Sequence, residues 1–289
     1  MLRIGYRDKA HFQMTVKIVT DSTSDISREL ARTLSIEIVP VYVKFGDEVY
    51  RDGVDISGDG FYRKLATAFV YPVTSPPTPA DFFKVYSDCL KDAESIISIH
   101  ISVKISDTYD SAIKAKKLMK GKCQVEVIDS RFTSVGLALI VMAAARLANA
   151  GESISNIVEE TQRSINQMRL LGLVDTTKYL VAGGRVNRAI AVVADIFRIK
   201  PLLTFKDGEV VRRSLARTYL RGMDDLCEFV ETIPNVQDLA IAYSNVRTQA
   251  EELRKRLGSV FPEEKILLAQ IGAGLGVHIG SGALVVAFR

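Results

Sequence analysis

The chain has 289 residues, 47% hydrophobic and 25% charged, with 38 basic against 34 acidic side chains and a formal net charge of +4. These values belong to a globular protein with a sizeable core and exclude a disordered or fibrous chain. Basic residues interleaved with acidic ones along helical stretches argue against a nucleic-acid surface, and the longest apolar run, Val135 to Ala145, is too short for an integral membrane span.

Residues 1–13, MLRIGYRDKAHFQ, lack a signal-peptide core and read as an extension outside the fold, with His11 inside it. VKIVT (16–20) is a buried strand, and Ser24 or Asp25 in the following DSTSDIS is the expected cap of a helix through Leu34. IEIVPVYVKF (36–45) is strand-like with a bend at Pro40. A helix is expected over Gly60–Ala68. TSPPTP (74–79) is read as unable to continue a regular element, and Pro79 opens the next helix. SIISIHIS (95–102) and QVEVIDS (124–130) are strands, each followed by a helix, over 106–120 and from about Val135 to Ala150. Strand and helix alternating with short connections predict a parallel sheet covered on both faces.

The second half changes character. A helix from Ile154 to about Met168 leads to LLGLVD and TTKYLVAGGRVNRAIAVV, and PLLTFKDGEVVRRSLA carries an Asp207-Gly208 hairpin signal. Helices over Tyr219–Ile233 and Val246–Leu257 alternate with the strands LAIAYS, KILLAQI and ALVVAF. The fold class predicted is α/β in two domains. A three-layer α/β/α parallel sheet occupies 14–160, and a two-layer α/β domain with a mixed sheet occupies 161–289.

Chemistry-bearing residues concentrate at the strand ends. Thr20, Ser22 and Thr23, then Thr74, Ser75 and Thr78, then Ser102, Ser106 and Thr108, then Ser130 and Thr133 form four hydroxyl clusters. Ligands of open α/β sheets bind beyond the carboxyl ends of the strands, and hydroxyl donors at helix starts suit a carboxylate or phosphate. Ser and Thr are also ordinary helix caps. Arg185 closes AGGR (182–185), where it can address a carboxylate, and His278 sits in the glycine run IGAGLGVHIGSG. That run reads either as a turn-rich connection or as backbone making a close approach. With too few residues after it for a dinucleotide unit, and with no Walker A sequence, a nucleotide site does not fit. A metal site is not expected, because three histidines and three scattered cysteines form no cluster. The same cysteines (Cys89, Cys123, Cys227) suggest a reducing, cytoplasmic setting rather than a disulfide framework. An acyl hydrolase using Ser106 and His278 stays open, since triad partners need not be neighbours in sequence. Arg212, Arg213, Arg217 and Arg221 beside Asp224 and Asp225 read as a solvated face or an acidic-partner patch.

TDSTSD, TSPPTP, KISDTYDSA, AGGR and VHIGSGALVVAF follow one another in the order and spacing of the DegV family of bacterial fatty-acid-binding proteins, which the chain resembles from about Met14 onward. The family's architecture is similar to that of the substrate-binding subunit of dihydroxyacetone kinase. The resemblance implies a long-chain fatty acid such as palmitate, stearate or oleate, held between the two domains with its tail in an apolar tunnel. It places Thr74, Ser75 and Ser106 at the carboxylate, with Arg185 and His278 in the polar network around it. It also implies a non-enzymatic carrier without a cofactor, presenting the acid to a separate fatty-acid kinase that forms the acyl phosphate. Two positions depart from the family pattern: Pro76 stands where a glutamine-like residue is expected and Asp107 where glycine is usual.

Overall fold

The computed structural model describes residues 15–185 and 199–289, so the expected extension over 1–13 and the VNRAIAVV stretch after AGGR lie outside the described residues. β1 (Val16–Asp21) pairs in parallel with β2 (Ile36–Val39) and β6 (Ser95–His100), and β6 pairs in parallel with β7 (Gln124–Asp129), giving the order β2-β1-β6-β7. Strands covered on both faces are apolar along their whole length, and every residue of β6 is buried.

Helices α3 (Pro79–Cys89) and α4 (Thr108–Leu118) cover one face of this sheet, packing Phe82, Tyr86, Ala112 and Met119 on Val19, Ile96 and Val125. The start of α3 follows from local chemistry: Thr78 and Asp81 form a reciprocal capping box, with Pro79 in the first turn. The other face is covered by α5 (Ser134–Asn149), buried at every residue from Ser134 to Ala145. A helix apolar all round must be enclosed on all sides, and the far side of α5 lies against a second sheet through Ala240, Val285 and Ala287. Helix α6 (Ile154–Gln167) runs beside α5, and the expected boundary at 160/161 falls within it.

The second sheet has six strands: β8 (Arg169–Leu173), β9 (Lys200–Lys206), β10 (Glu209–Ala216), β11 (Leu239–Tyr243), β12 (Leu267–Gln270) and β13 (Leu284–Phe288). Their order is β10-β9-β8-β13-β11-β12, and only β11 with β12 is parallel. The outer face is covered by α8 (Tyr219–Glu231) and α9 (Arg247–Leu257), which bury Leu226, Val230, Leu253 and Leu257 against Leu171, Ile241 and Phe288. The predicted parallel three-layer and mixed two-layer architectures are both present, stacked around the shared helix α5.

Five local readings need correction or refinement. The first helix, α1 (Arg28–Thr33), is capped by Ser27 and not by Ser24 or Asp25. The Asp21 carboxylate accepts the Thr23 N–H and closes a 3-10 turn over Ser22–Ser24, leaving Asp25 left-handed at φ 56°. IEIVPVYVKF divides at Pro40, so that β3 (Tyr42–Phe45) joins β4 (Glu48–Arg51) and β5 (Val73–Ser75) in a separate antiparallel sheet. Thr74 and Ser75 therefore end a strand instead of lying in a loop, and helix α2 (Gly58–Thr67) starts two residues early on a Ser57 cap. Finally, the glycine run is a short helix, α10 (Ala273–Ile279). Its glycines serve close packing: a Cβ on Gly276 would run into the Phe61 ring of α2. Of the arginine patch, Arg221 pairs with Asp225 at 3.1 Å, Arg213 lies 4.6 Å over the Phe229 ring, and Asp224 is taken by Arg256.

Candidate functional site

A cavity of about 330 Å³ lies between the two large sheets, and all five residues singled out in the sequence (Thr74, Ser75, Ser106, Arg185 and His278) line it. Its volume is at the lower end for small-molecule sites. Most of its wall is apolar: Val41 and Ile101 come from the first half, and Leu170, Leu203, Phe205 and Val285 from the second sheet. Gly172 of β8 contributes only backbone there.

The polar lining is assembled from four short segments. Thr74 ends β5, and its Oγ1 lies 2.9 Å from Nε2 of His278, in the last turn of α10. Helix α7 (Lys178–Gly183) ends in a left-handed Gly184, and Arg185 follows, donating from Nη1 to the Gly183 carbonyl at 2.6 Å. Gly183 is required by the histidine itself, because a Cβ there would occupy the place of His278 Nδ1. Ser106 lies in the loop between β6 and α4, sharing a 2.8 Å hydrogen bond with Thr108 Oγ1. Asp107 is the exposed N-cap of α4 and makes no side-chain cap bond, and both it and Pro76 line the same cavity.

Electrostatics favour an anion. Burial and the neighbouring Arg185 hold the His278 imidazole well below its ordinary value, at about 4, so the ring is neutral at physiological pH. Arg185 and Lys104 are the two basic side chains among the described lining residues, against the single carboxylate of Asp107. Neutral hydroxyls, a neutral imidazole and a guanidinium form a donor set suited to a carboxylate.

The hydrolase reading is not assembled. His278 meets Thr74 and not Ser106, and among the described residues its buried Nδ1 has no hydrogen-bond partner and no carboxylate orients the ring. A Ser-His-Asp chain does exist elsewhere. His100 Nδ1 lies 3.0 Å from Asp21 Oδ2, and His100 Nε2 lies 2.6 Å from Ser98 Oγ, which accepts from the Tyr86 hydroxyl at 2.8 Å. All four side chains are buried, and Asp21 also accepts the Ile101 N–H at 3.1 Å. This chain pins the ends of β1 and β6, from which the cavity loops spring, and gives no access to substrate.

Of the other hydroxyls, most have structural tasks. Thr20 donates to the Ile99 carbonyl, Ser22 accepts the Val41 N–H, Ser102 donates to the Gly208 carbonyl and Ser130 to the Phe132 carbonyl. Thr23, Thr133 and Ser134 line the cavity on another wall. Behind that wall Ser134 Oγ donates to Asp25 at 2.6 Å, and burial raises the Asp25 carboxyl to about 8. No sequence motif singled out Ser134 or Asp25 as a pair; their contact spans the fold.

The fold and cavity define a class: an α/β protein of two stacked sheets that encloses a mostly apolar chamber with a small polar lining. The chain belongs to the DegV family, whose model, described as an uncharacterised protein of that family, matches residues 15–289. A DegV domain-containing protein of Caldanaerobacter subterraneus is 31% identical over 277 residues, covering 95% of this chain and 98% of the relative. Among solved structures, a DegV family protein from Thermus thermophilus described by its fatty-acid binding aligns with a TM-score of 0.87 at 30% identity, over 96% of this chain and 99% of its own. DegV of Bacillus subtilis, described as a fatty-acid-binding protein, aligns with a TM-score of 0.82 at 27% identity, over 95% and 99% of the two chains.

Proposed function

We propose that this protein binds a long-chain fatty acid in the inter-sheet cavity and acts as a carrier. The observation that supports this most directly is the cavity: apolar walls from both sheets, and a polar lining that pairs hydroxyls with a neutral histidine and Arg185. A fatty acid needs a long apolar enclosure and a few placed donors for one carboxylate. In this reading Thr74, Ser75 and Ser106 hold the carboxylate, Arg185 balances its charge, and the neutral His278 completes the polar network around it. The fatty-acid binding described for the relatives from Thermus thermophilus and Bacillus subtilis agrees with this ligand class.

The proposal includes an organisation in two units, over 14–160 and 161–289, with the lipid between them. It also includes delivery of the acid to a separate fatty-acid kinase that forms the acyl phosphate, in a cytoplasmic setting. The chain's own residues then bind and orient the acid, and the kinase performs the phosphoryl transfer. Native mass spectrometry of gently purified protein tests the first step. An added mass of fatty-acid size is expected, as is uptake of palmitate, stearate or oleate by delipidated protein. Protein that is always ligand-free and takes up none of the three would overturn the reading. Acyl-phosphate formation with a fatty-acid kinase and ATP, dependent on this protein, tests the second.

A further inference from the structure

The two site residues that come from the second half of the chain, Arg185 and His278, are carried at the ends of two short helices, α7 and α10. Short helices leave most of their last carbonyls without intrahelical partners. One side chain meets such a carbonyl in the last turn of α10 and also reaches the first turn of α7. The hydroxyl of Tyr71 lies 2.7 Å from the Val277 carbonyl in α10 and 3.1 Å from the Tyr179 carbonyl in α7. Its ring is tilted against that of Tyr179 at 6.1 Å between centroids, and the Tyr179 ring fills the space where Gly280 has no side chain. Tyr71 precedes Thr74 by three residues, so one short segment grips residue 277 by its backbone and residue 278 by its imidazole.

We propose that Tyr71 is the positioning residue of the site: its phenol ties the last turn of α10 to the first turn of α7 and sets the His278 imidazole against Thr74. This rests on the fatty-acid reading for its consequence, although the contact itself does not. Tyr71 touches no ligand; it is absent from the cavity wall and acts through His278. Partial burial raises its hydroxyl to about 12, so it remains a donor throughout the working range of pH. Among the described residues no carboxylate bonds to this tyrosine, and the charged group felt by the imidazole is Arg185.

The test is Tyr71→Phe in the full chain, which keeps the ring on Tyr179 and removes only the hydroxyl. Palmitate affinity should fall roughly five- to tenfold, the effect of losing one ordinary hydrogen bond, while 1-hexadecanol, which lacks the carboxylate, should stay within about twofold on the same grounds. By NMR of labelled histidine, the His278 signals should shift and its titration midpoint should rise toward the ordinary imidazole value as the ring gains freedom and water. Thr74→Val should move the same signals, and the double variant should be less than additive. Equal losses for acid and alcohol would mark a merely structural role and overturn the proposal, as would unmoved His278 signals. If the wild-type protein takes neither ligand, the fatty-acid reading fails, and the histidine titration alone still decides the role of Tyr71.

Discussion

Gly183→Ala separates ligand binding from stability more sharply than any removal of a site residue. A methyl group at this position overlaps His278 Nδ1 and comes within 3.2 Å of Cγ and 3.3 Å of Cε1. The imidazole must therefore retreat by about an ångström, which takes the 2.9 Å contact with Thr74 Oγ1 beyond hydrogen-bond range. Losing a placed donor to a carboxylate costs about 1.5–3 kcal/mol, so fatty-acid affinity should fall between roughly tenfold and a hundredfold. Folding should hardly notice. Alanine in a helix is favoured over glycine by roughly 0.5–1 kcal/mol, which offsets the lost neutral Thr74–His278 bond of about 1 kcal/mol. At roughly 2–4 °C per kcal/mol for a chain of this size, the melting temperature should stay within about 3 °C of wild type. Calorimetric titration with palmitate and a thermal melt, run on the same preparation, check both halves. Unchanged affinity would refute the placement of His278 at the head group, and a collapse in melting temperature would refute the claim that the glycine serves the histidine alone.

His278 also predicts a pH dependence. Its folded-state value of about 4 lies below the ordinary 6.5, so on acidification the unfolded chain takes the proton first. The stability from the neutral ring is complete above about pH 6.5 and is lost as pH falls toward 4, amounting to about 3 kcal/mol. His278→Gln should remove this component from urea titrations compared across that window, and parallel curves for the two proteins would refute it. Asp25 has the opposite sign. Its carboxyl is raised from 3.8 to about 8, so the folded state keeps a proton that the unfolded state releases, and stability falls as pH rises through that interval. Asp25→Asn, which can still accept from Gly272 N–H and meet Ser134 Oγ, should therefore gain in melting temperature over wild type with rising pH, and a difference that is constant with pH would count against the buried acid. Ser106→Ala should weaken palmitate retention by the loss of one charge-assisted bond, roughly tenfold or more, and unchanged retention would take Ser106 out of the carboxylate set.

Much of the fold was legible because periodicity and composition reported burial directly. β6 is buried along its whole length and β1 nearly so, with helices as their neighbours in sequence, which is the signature of a doubly covered parallel sheet. The Asp207-Gly208 pair marked the β9–β10 hairpin, and Asp207 does adopt a left-handed conformation at φ 50°. The small antiparallel sheet was not legible. β4 and β5 are four and three residues long, too short for a period, and their pairing with β3 is a long-range choice that local propensity does not encode. In the site, Thr74, Ser106, Arg185 and His278 could be named from residue type and the resemblance. Tyr71, Gly183 and the Ser134–Asp25 pair could not, because each acts through a partner more than 90 residues away.

The misread glycine run carries the consequence that matters for function. Taken as a turn-rich connection, it left open a hydrolase with His278 acting on Ser106. Taken as helix α10, it places the histidine on an element seated against the first half of the chain: Gly276 on Phe61, the Ala273 N–H donating to Asp52 at 2.8 Å, and the Gly272 N–H donating to Asp25 at 2.8 Å. The second half alone supplies Arg185 and His278, and the first half supplies Thr74, Ser75, Ser106 and every one of these seats. Under the proposed reading the carboxylate meets hydroxyls from the first half and the guanidinium and imidazole from the second. A variant that loosens the seat of α10, such as Gly276→Val against Phe61, should therefore lose palmitate binding although no cavity-lining donor has been changed.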